Sequence, residues 1–147
     1  MKNTVGKFAR LWAGVALLLF CQLCSADWWS DEWSYRKKIT FDPATLALGQ
    51  SLPDEITLML RLHPANFNYF VDMREDGSDL RFIAGDEITP LKYHIETFDA
   101  AAGIGVIWVR VPRPAATLDS FWMYYGNAEA ASASEPNASF GADQTLA

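Results

Sequence analysis

The stretch EITLMLRL, residues 55–62, sets Ile56, Leu58, Leu60 and Leu62 on one parity and Thr57, Met59 and Arg61 on the other. Successive side chains of an extended chain point to opposite faces, so this period of two is the mark of a strand with one face buried. The same pattern recurs on both sides of it. In WSYRKKITF, residues 33–41, Trp33, Tyr35, Ile39 and Phe41 share a parity, broken by Lys37. LKYHIE, residues 91–96, alternates Leu91, Tyr93 and Ile95 with Lys92, His94 and Glu96. IGVIWVRV, residues 104–111, is apolar on both parities and predicts a strand covered on both faces. SFWMYYG, residues 120–126, is rich in aromatic side chains, and DLRFI, residues 79–83, brings the strand count to six or seven.

Turn residues separate these runs: Asp42-Pro43, Pro53-Asp54, Asp76-Gly77, Gly85-Asp86, Pro90, Gly103, Pro112, Pro114 and Gly126-Asn127. They supply the fixed φ, the left-handed backbone or the side-chain hydrogen bond that a turn requires. Beyond the leader no segment sustains a 3.6-residue period. Short alternating strands with such punctuation predict an all-β domain, an antiparallel β-sandwich of jelly-roll or immunoglobulin-like type.

The chain opens MKNTVGKFARLWAGVALLLFCQLCSADWW. Lys2, Lys7 and Arg10 form a basic region, Leu11 to Cys21 an apolar run, and Cys24-Ser25-Ala26 a small-residue cleavage site. This is the pattern of a Sec signal peptide over residues 1–26, cut after Ala26. The apolar run is too short for a spanning helix, which needs roughly 20 such residues. Export to the periplasm or the extracellular space is expected, with membrane tethering only in a longer chain. Cleavage removes Cys21 and Cys24, the only two cysteines, so neither a disulfide nor a thiolate site is expected in the mature domain. It also removes three bases and no acid. Of 12 bases and 18 acids, nine and eighteen remain, a net charge of about −9. That excess of acid excludes nucleic acid and anionic membrane surfaces as expected partners, because both select clustered cations.

The domain is expected to fill residues 27–130. From Asn127 onward the residues are mostly small and polar, with Phe140 and Leu146 the sizeable apolar ones. Residues 131–147 are therefore read as a low-complexity linker, and the chain as the N-terminal piece of a longer protein.

The acidic loop REDGSDLRF, residues 74–82, packs five charged residues around one glycine. From Asp72 it mimics an EF-hand start, with Asp76 at the fifth place and Gly77 at the sixth. Arg74 at the third place and Ile83 at the twelfth break the pattern. Asp76 and Asp79 remain weak calcium candidates, while no metal or cofactor is expected. The bland reading is a turn at Asp76-Gly77 leading into a strand, with Asp79 bonding nearby backbone amides and Leu80 and Phe82 directed inward. Acids are numerous, and most are expected on solvated turns; two facing carboxyls would be needed for a glycosidase. His63 and His94 lack metal-ligand spacing, and no nucleophile elbow occurs. No catalytic residue is assigned, and the protein is expected not to be an enzyme. Exposed rings stack on sugars through an apolar face and a polar edge. Trp28, Trp29 and Trp33 are the ligand-binding candidates, the first two because they precede the first regular strand.

The segments WSYRKKITF, RLHPANFNYF, EDGSDLRFIAGD, PLKYHIETFD, VIWVRVP and FWMYYGNAEA, in that order, resemble domain-of-unknown-function family 2341 (DUF2341). The resemblance spans roughly residues 33–130, with Ile107 where the family pattern has Val. It implies an extracytoplasmic β-rich module, often placed ahead of a laminin-G-like domain. RLHPANF and LKYHIE look closest to a subgroup in which a MotA/TolQ/ExbB proton-channel domain follows in the same chain. The family brings no catalytic residues. A non-catalytic binding module for glycan or an envelope protein is the first expectation. A structural periplasmic domain of a biopolymer-transport protein is the second, and a carboxylate glycosidase the third.

Overall fold

A computed structural model describes residues 28–42, 54–112 and 120–136. The expected leader with its expected cleavage after Ala26 lies outside the described residues, as do residues 137–147 of the expected linker. Among the described residues six strands follow in order: β1 (Tyr35–Thr40), β2 (Glu55–Leu62), β3 (Arg81–Ala84), β4 (Tyr93–Asp99), β5 (Ile104–Pro112) and β6 (Ser120–Tyr125). One 3-10 turn, Phe70–Asp72, lies between β2 and β3. The strands form two antiparallel sheets of three, ordered β1-β6-β3 and β2-β5-β4. Among the described residues no helix is long and apolar enough to cross a membrane.

The alternation read from the sequence becomes burial. In β2, Ile56, Leu58 and Leu60 are half-buried and Leu62 fully buried, while Glu55, Thr57, Met59 and Arg61 are exposed. One hydrophobic cluster joins Leu62, Tyr93, Ile107, Val109 and Val111 of the second sheet to Phe82, Ala84, Phe121, Met123 and Tyr125 of the first. The two sheets therefore share a core, as stacked antiparallel sheets must when each has one apolar face.

Four expectations change. β5 is buried on one face only, through Gly105, Ile107, Val109 and Val111, whereas Val106, Trp108 and Arg110 are half-exposed. Its outer face meets polar company: Trp108 pairs in register with Met59 and His94, and its Nε1 donates to Glu96. Glu96 reaches it from a bulge between Ile95 and Thr97, where one residue is left over in the pairing of β4 with β5.

The strand covered on both faces is β6 instead. Phe121, Met123 and Tyr125 enter the main core, while Tyr124 joins Trp33 and Ile83 in a second cluster on the opposite face.

Trp33 accordingly does not share the inner face with Ile39 and Phe41. It precedes β1, a bend at Ser34 intervenes, and its ring packs outside the sheet.

The fourth change concerns the tail. Residues 131–135 are not a free linker, because Glu135 N donates to Tyr93 O at 2.9 Å and Ile95 N to Ser134 Oγ at 2.8 Å. Arg81 Nη2 also donates to Ala131 O at 2.7 Å. The segment straps the edge of β4, satisfying backbone groups that an edge strand would otherwise leave to water. The folded unit thus runs past residue 130.

Candidate functional site

The loop from Arg74 to Leu80 is built by local bonds. Gly77 N donates to Arg74 O at 3.0 Å, and Leu80 N to Gly77 O at 3.0 Å. Gly77 has φ of 69°, and a Cβ there would meet the Phe98 ring at 2.8 Å, so glycine is required on both counts. Leu80 and Phe82 are buried, as read.

Asp79 goes further inside than a turn acid should, with no exposed surface. Its Oδ1 accepts Arg74 N at 3.0 Å and its Oδ2 accepts Gly126 N at 2.7 Å. Both oxygens thus hold backbone, tying the loop to the end of β6. Asp76 faces its own turn, accepting Ser78 N at 3.0 Å, and that bond lowers its pKa from the ordinary aspartate value. The structure does not bring Asp76 and Asp79 together as ligands, and among the described residues no group of three His, Cys, Asp or Glu is arranged to hold a metal ion.

Not all acids are dispersed on separate turns. Glu75, Asp76 and Asp99 line one shallow hollow of about 640 Å³ with Arg74 and Phe98. Its carboxylates are partly engaged locally: Asp99 Oδ1 accepts Ala102 N at 2.8 Å, and Asp76 holds Ser78 N. The shift of Asp76 runs opposite to what a general acid needs near neutral pH.

The three candidate tryptophans do come together, but as a cap on the outer face of the β1-β6-β3 sheet. Trp33 is buried and donates from Nε1 to Asp79 O at 2.6 Å. Trp29 meets Trp33 at 5.2 Å and Tyr124 at 5.7 Å between ring centroids. Trp28 meets Tyr124 edge-on at 5.6 Å, and its Nε1 donates to Trp33 O at 2.9 Å. The Arg36 guanidinium lies 4.1 Å from the Trp122 ring centroid and 4.9 Å from that of Trp28. It donates to Glu87 Oε2 at 2.8 Å and to the Tyr124 hydroxyl at 3.1 Å. Burial alone would lower the Arg36 pKa, but the bonds to Tyr124 and Glu87 outweigh it and raise it. Every indole and the cation between them are thus occupied with one another, which is what a packed second layer looks like.

The exposed rings are elsewhere. Tyr35 and Tyr69 keep 45% and 47% of their surface in solvent, against 4% for Tyr125 between them. Tyr35 opens β1 opposite Tyr125 at the end of β6, and their rings stack at 5.4 Å with planes 24° apart. Tyr69 lies 6.4 Å from Tyr125 at 32°. Two local features hold this row. Gly126, at φ 87°, leaves room for the Tyr35 ring; a Cβ there would fall 2.6 Å from its Cδ2. The turn in RLHPANF, closed by Asn66 and Phe67 amides on His63 O, buries Phe67 beneath Tyr69 and Tyr125 at 5.6 and 5.3 Å. The 3-10 turn then buries Phe70 and leaves Val71 outside.

Charge of both signs borders the row. Lys37 Nζ lies 5.9 Å from the Tyr69 ring centroid and donates to Asn66 O at 3.2 Å. Burial, with Tyr69, Asp72 and Tyr35 nearby, pushes the Tyr125 phenol up to about 12. The sequence reading missed this surface. Lys37 breaking the apolar parity of β1 was its one visible trace, since a cation on the inward parity needs an open end to the core.

No curated protein and no solved structure matches the chain. A family model does, over β3 to β6 and the strap, reaching Tyr125 and Gly126 but not Tyr35 or Tyr69. That model is DUF2341, a domain of unknown function, and it matches residues 76–142.

Proposed function

We propose that the protein is an exported, non-catalytic recognition module whose binding surface is the row Tyr35–Tyr125–Tyr69. Two half-exposed phenol rings flanking a buried third carry the reading. Tyrosine offers large contact area at low entropic cost, together with a hydroxyl at the rim. The rings are held by a strand end, a glycine and a tight turn, so little ordering remains to oppose binding. The leader pattern supports export.

The test is co-sedimentation of the exported protein with insoluble envelope material and insoluble polysaccharides. Wild type is expected in the pellet with at least one of them, and the Tyr35→Ala/Tyr69→Ala double variant in the supernatant. Wild type left in solution with every material would end the recognition reading. A double variant that pellets equally well would move the site away from the tyrosine row.

A further inference from the structure

Resting on that reading, we infer that the tyrosine row takes a neutral glycan chain and engages two neighbouring sugar rings at once, one near Tyr35 and one near Tyr69. A pyranose has an apolar C–H face and a rim of hydroxyls, so it matches a phenol ring that is half open to water. The row supplies two such places. The Tyr35 and Tyr69 centroids lie 5.4 and 6.4 Å from that of Tyr125, so they are no farther apart than those two distances combined. A disaccharide covers that span.

The polar groups select a neutral ligand. Lys37 has one of its three ammonium donors on Asn66 O, leaving donors for sugar oxygens. The Asp72 carboxylate acts electrostatically on Tyr125, and a carboxylate can accept from sugar hydroxyls. One cation and one carboxylate at the same row favour neither sign of ligand. The mature chain, with nine bases against eighteen acids, repels polyanions such as polyuronates. Sugar hydroxyls both donate and accept, so they satisfy the ammonium and the carboxylate together.

The experiment is calorimetric titration of the exported protein with glucose, xylose and N-acetylglucosamine, with their β-1,4-linked di- and tetrasaccharides, and with a tetrauronate. A neutral disaccharide is expected to bind at least about tenfold tighter than its monosaccharide, with the tetrauronate weakest. Tyr35→Ala and Tyr69→Ala are each expected to cost about three- to tenfold, while Tyr35→Phe, which keeps the ring, retains most of the affinity. Thermal melts of each variant separate lost binding from lost folding. Equal affinity for mono- and disaccharide would overturn the two-ring inference, and tighter binding of the tetrauronate would overturn neutrality. Tyrosine-dependent pelleting with envelope material but no binding of any neutral sugar would overturn the inference while leaving the recognition reading standing.

Discussion

The carboxylate of Asp79, shut away from solvent, accepts the backbone amide of Gly126 at 2.7 Å across a sequence separation of 47 residues. Its other oxygen accepts Arg74 N, and its own carbonyl accepts Trp33 Nε1. One residue therefore joins the acidic loop, the end of β6 and the tryptophan cap. Asp79→Ala strands two amides, each costing roughly 1–3 kcal/mol when left buried and unsatisfied. A loss of about 2–5 kcal/mol is expected in urea unfolding, with Asp79→Asn milder because its amide oxygen still accepts one bond. A change below about 1 kcal/mol for Asp79→Ala would show that water replaces the carboxylate freely.

Gly126→Ala places a Cβ 2.6 Å from the Tyr35 ring at a φ of 87°. The left-handed backbone alone costs an L-residue about 1–2 kcal/mol. The melting temperature is expected to fall, and near-ultraviolet circular dichroism of the tyrosines to change as Tyr35 is displaced. An unaltered spectrum would mean that the ring does not rest on this glycine.

Trp33→Ala removes a buried indole, and a destabilisation of about 3–5 kcal/mol is expected by denaturant titration. Trp33→Phe keeps a ring but loses the bond to Asp79 O, and is expected to lie between that variant and wild type. Trp28→Ala, at a half-buried site, is expected to cost less and to leave ligand affinity unchanged. Loss of binding without loss of stability in Trp28→Ala would return the site to the tryptophans.

The phenol of Tyr125 is raised from 10.0 to about 12, and that of buried Tyr93 is raised as well. A folded-state value above the unfolded one means that the native protein holds its proton longer. The associated stability is fully present below pH 10 and is lost as pH climbs from 10 towards 12. Unfolding free energy measured across that window is expected to decline, with Tyr125→Phe reducing the slope. Phenolate absorbance should show a tyrosine titrating late in the native protein.

Truncation after Ala130 removes the strap, leaving Ile95 N without the Ser134 hydroxyl and Tyr93 O without the Glu135 amide. Hydrogen exchange at the Ile95 amide is expected to quicken relative to core amides of β5, and the bare edge of β4 to promote association at high concentration. Unchanged exchange there would mean that the strap contributes nothing to the edge.

The strands were legible because side-chain period is a local property: Ile56, Leu58, Leu60 and Leu62 announce one face wherever β2 comes to lie. So was the Asp76-Gly77 turn, whose backbone needs are met within a few residues. The tail was misjudged because composition was weighed without its neighbours. Ser132 to Glu135 bury little, but the edge of β4 offers hydrogen bonds that a lone segment cannot have.

The candidate site was the least legible part. Trp28, Trp29 and Trp33 lie within six residues of chain, yet they turned inward because Ile83, Trp122 and Tyr124 of distant strands had an apolar outer face to cover. Tyr35, Tyr69 and Tyr125 meet only when β1 pairs with β6 and the RLHPANF turn folds against them. Local chemistry thus dictated which segments are extended, where they turn and which face of each is apolar. The choice of sheet partners, made by long-range packing that period and turn residues do not encode, settled which aromatic rings became core and which were left facing water.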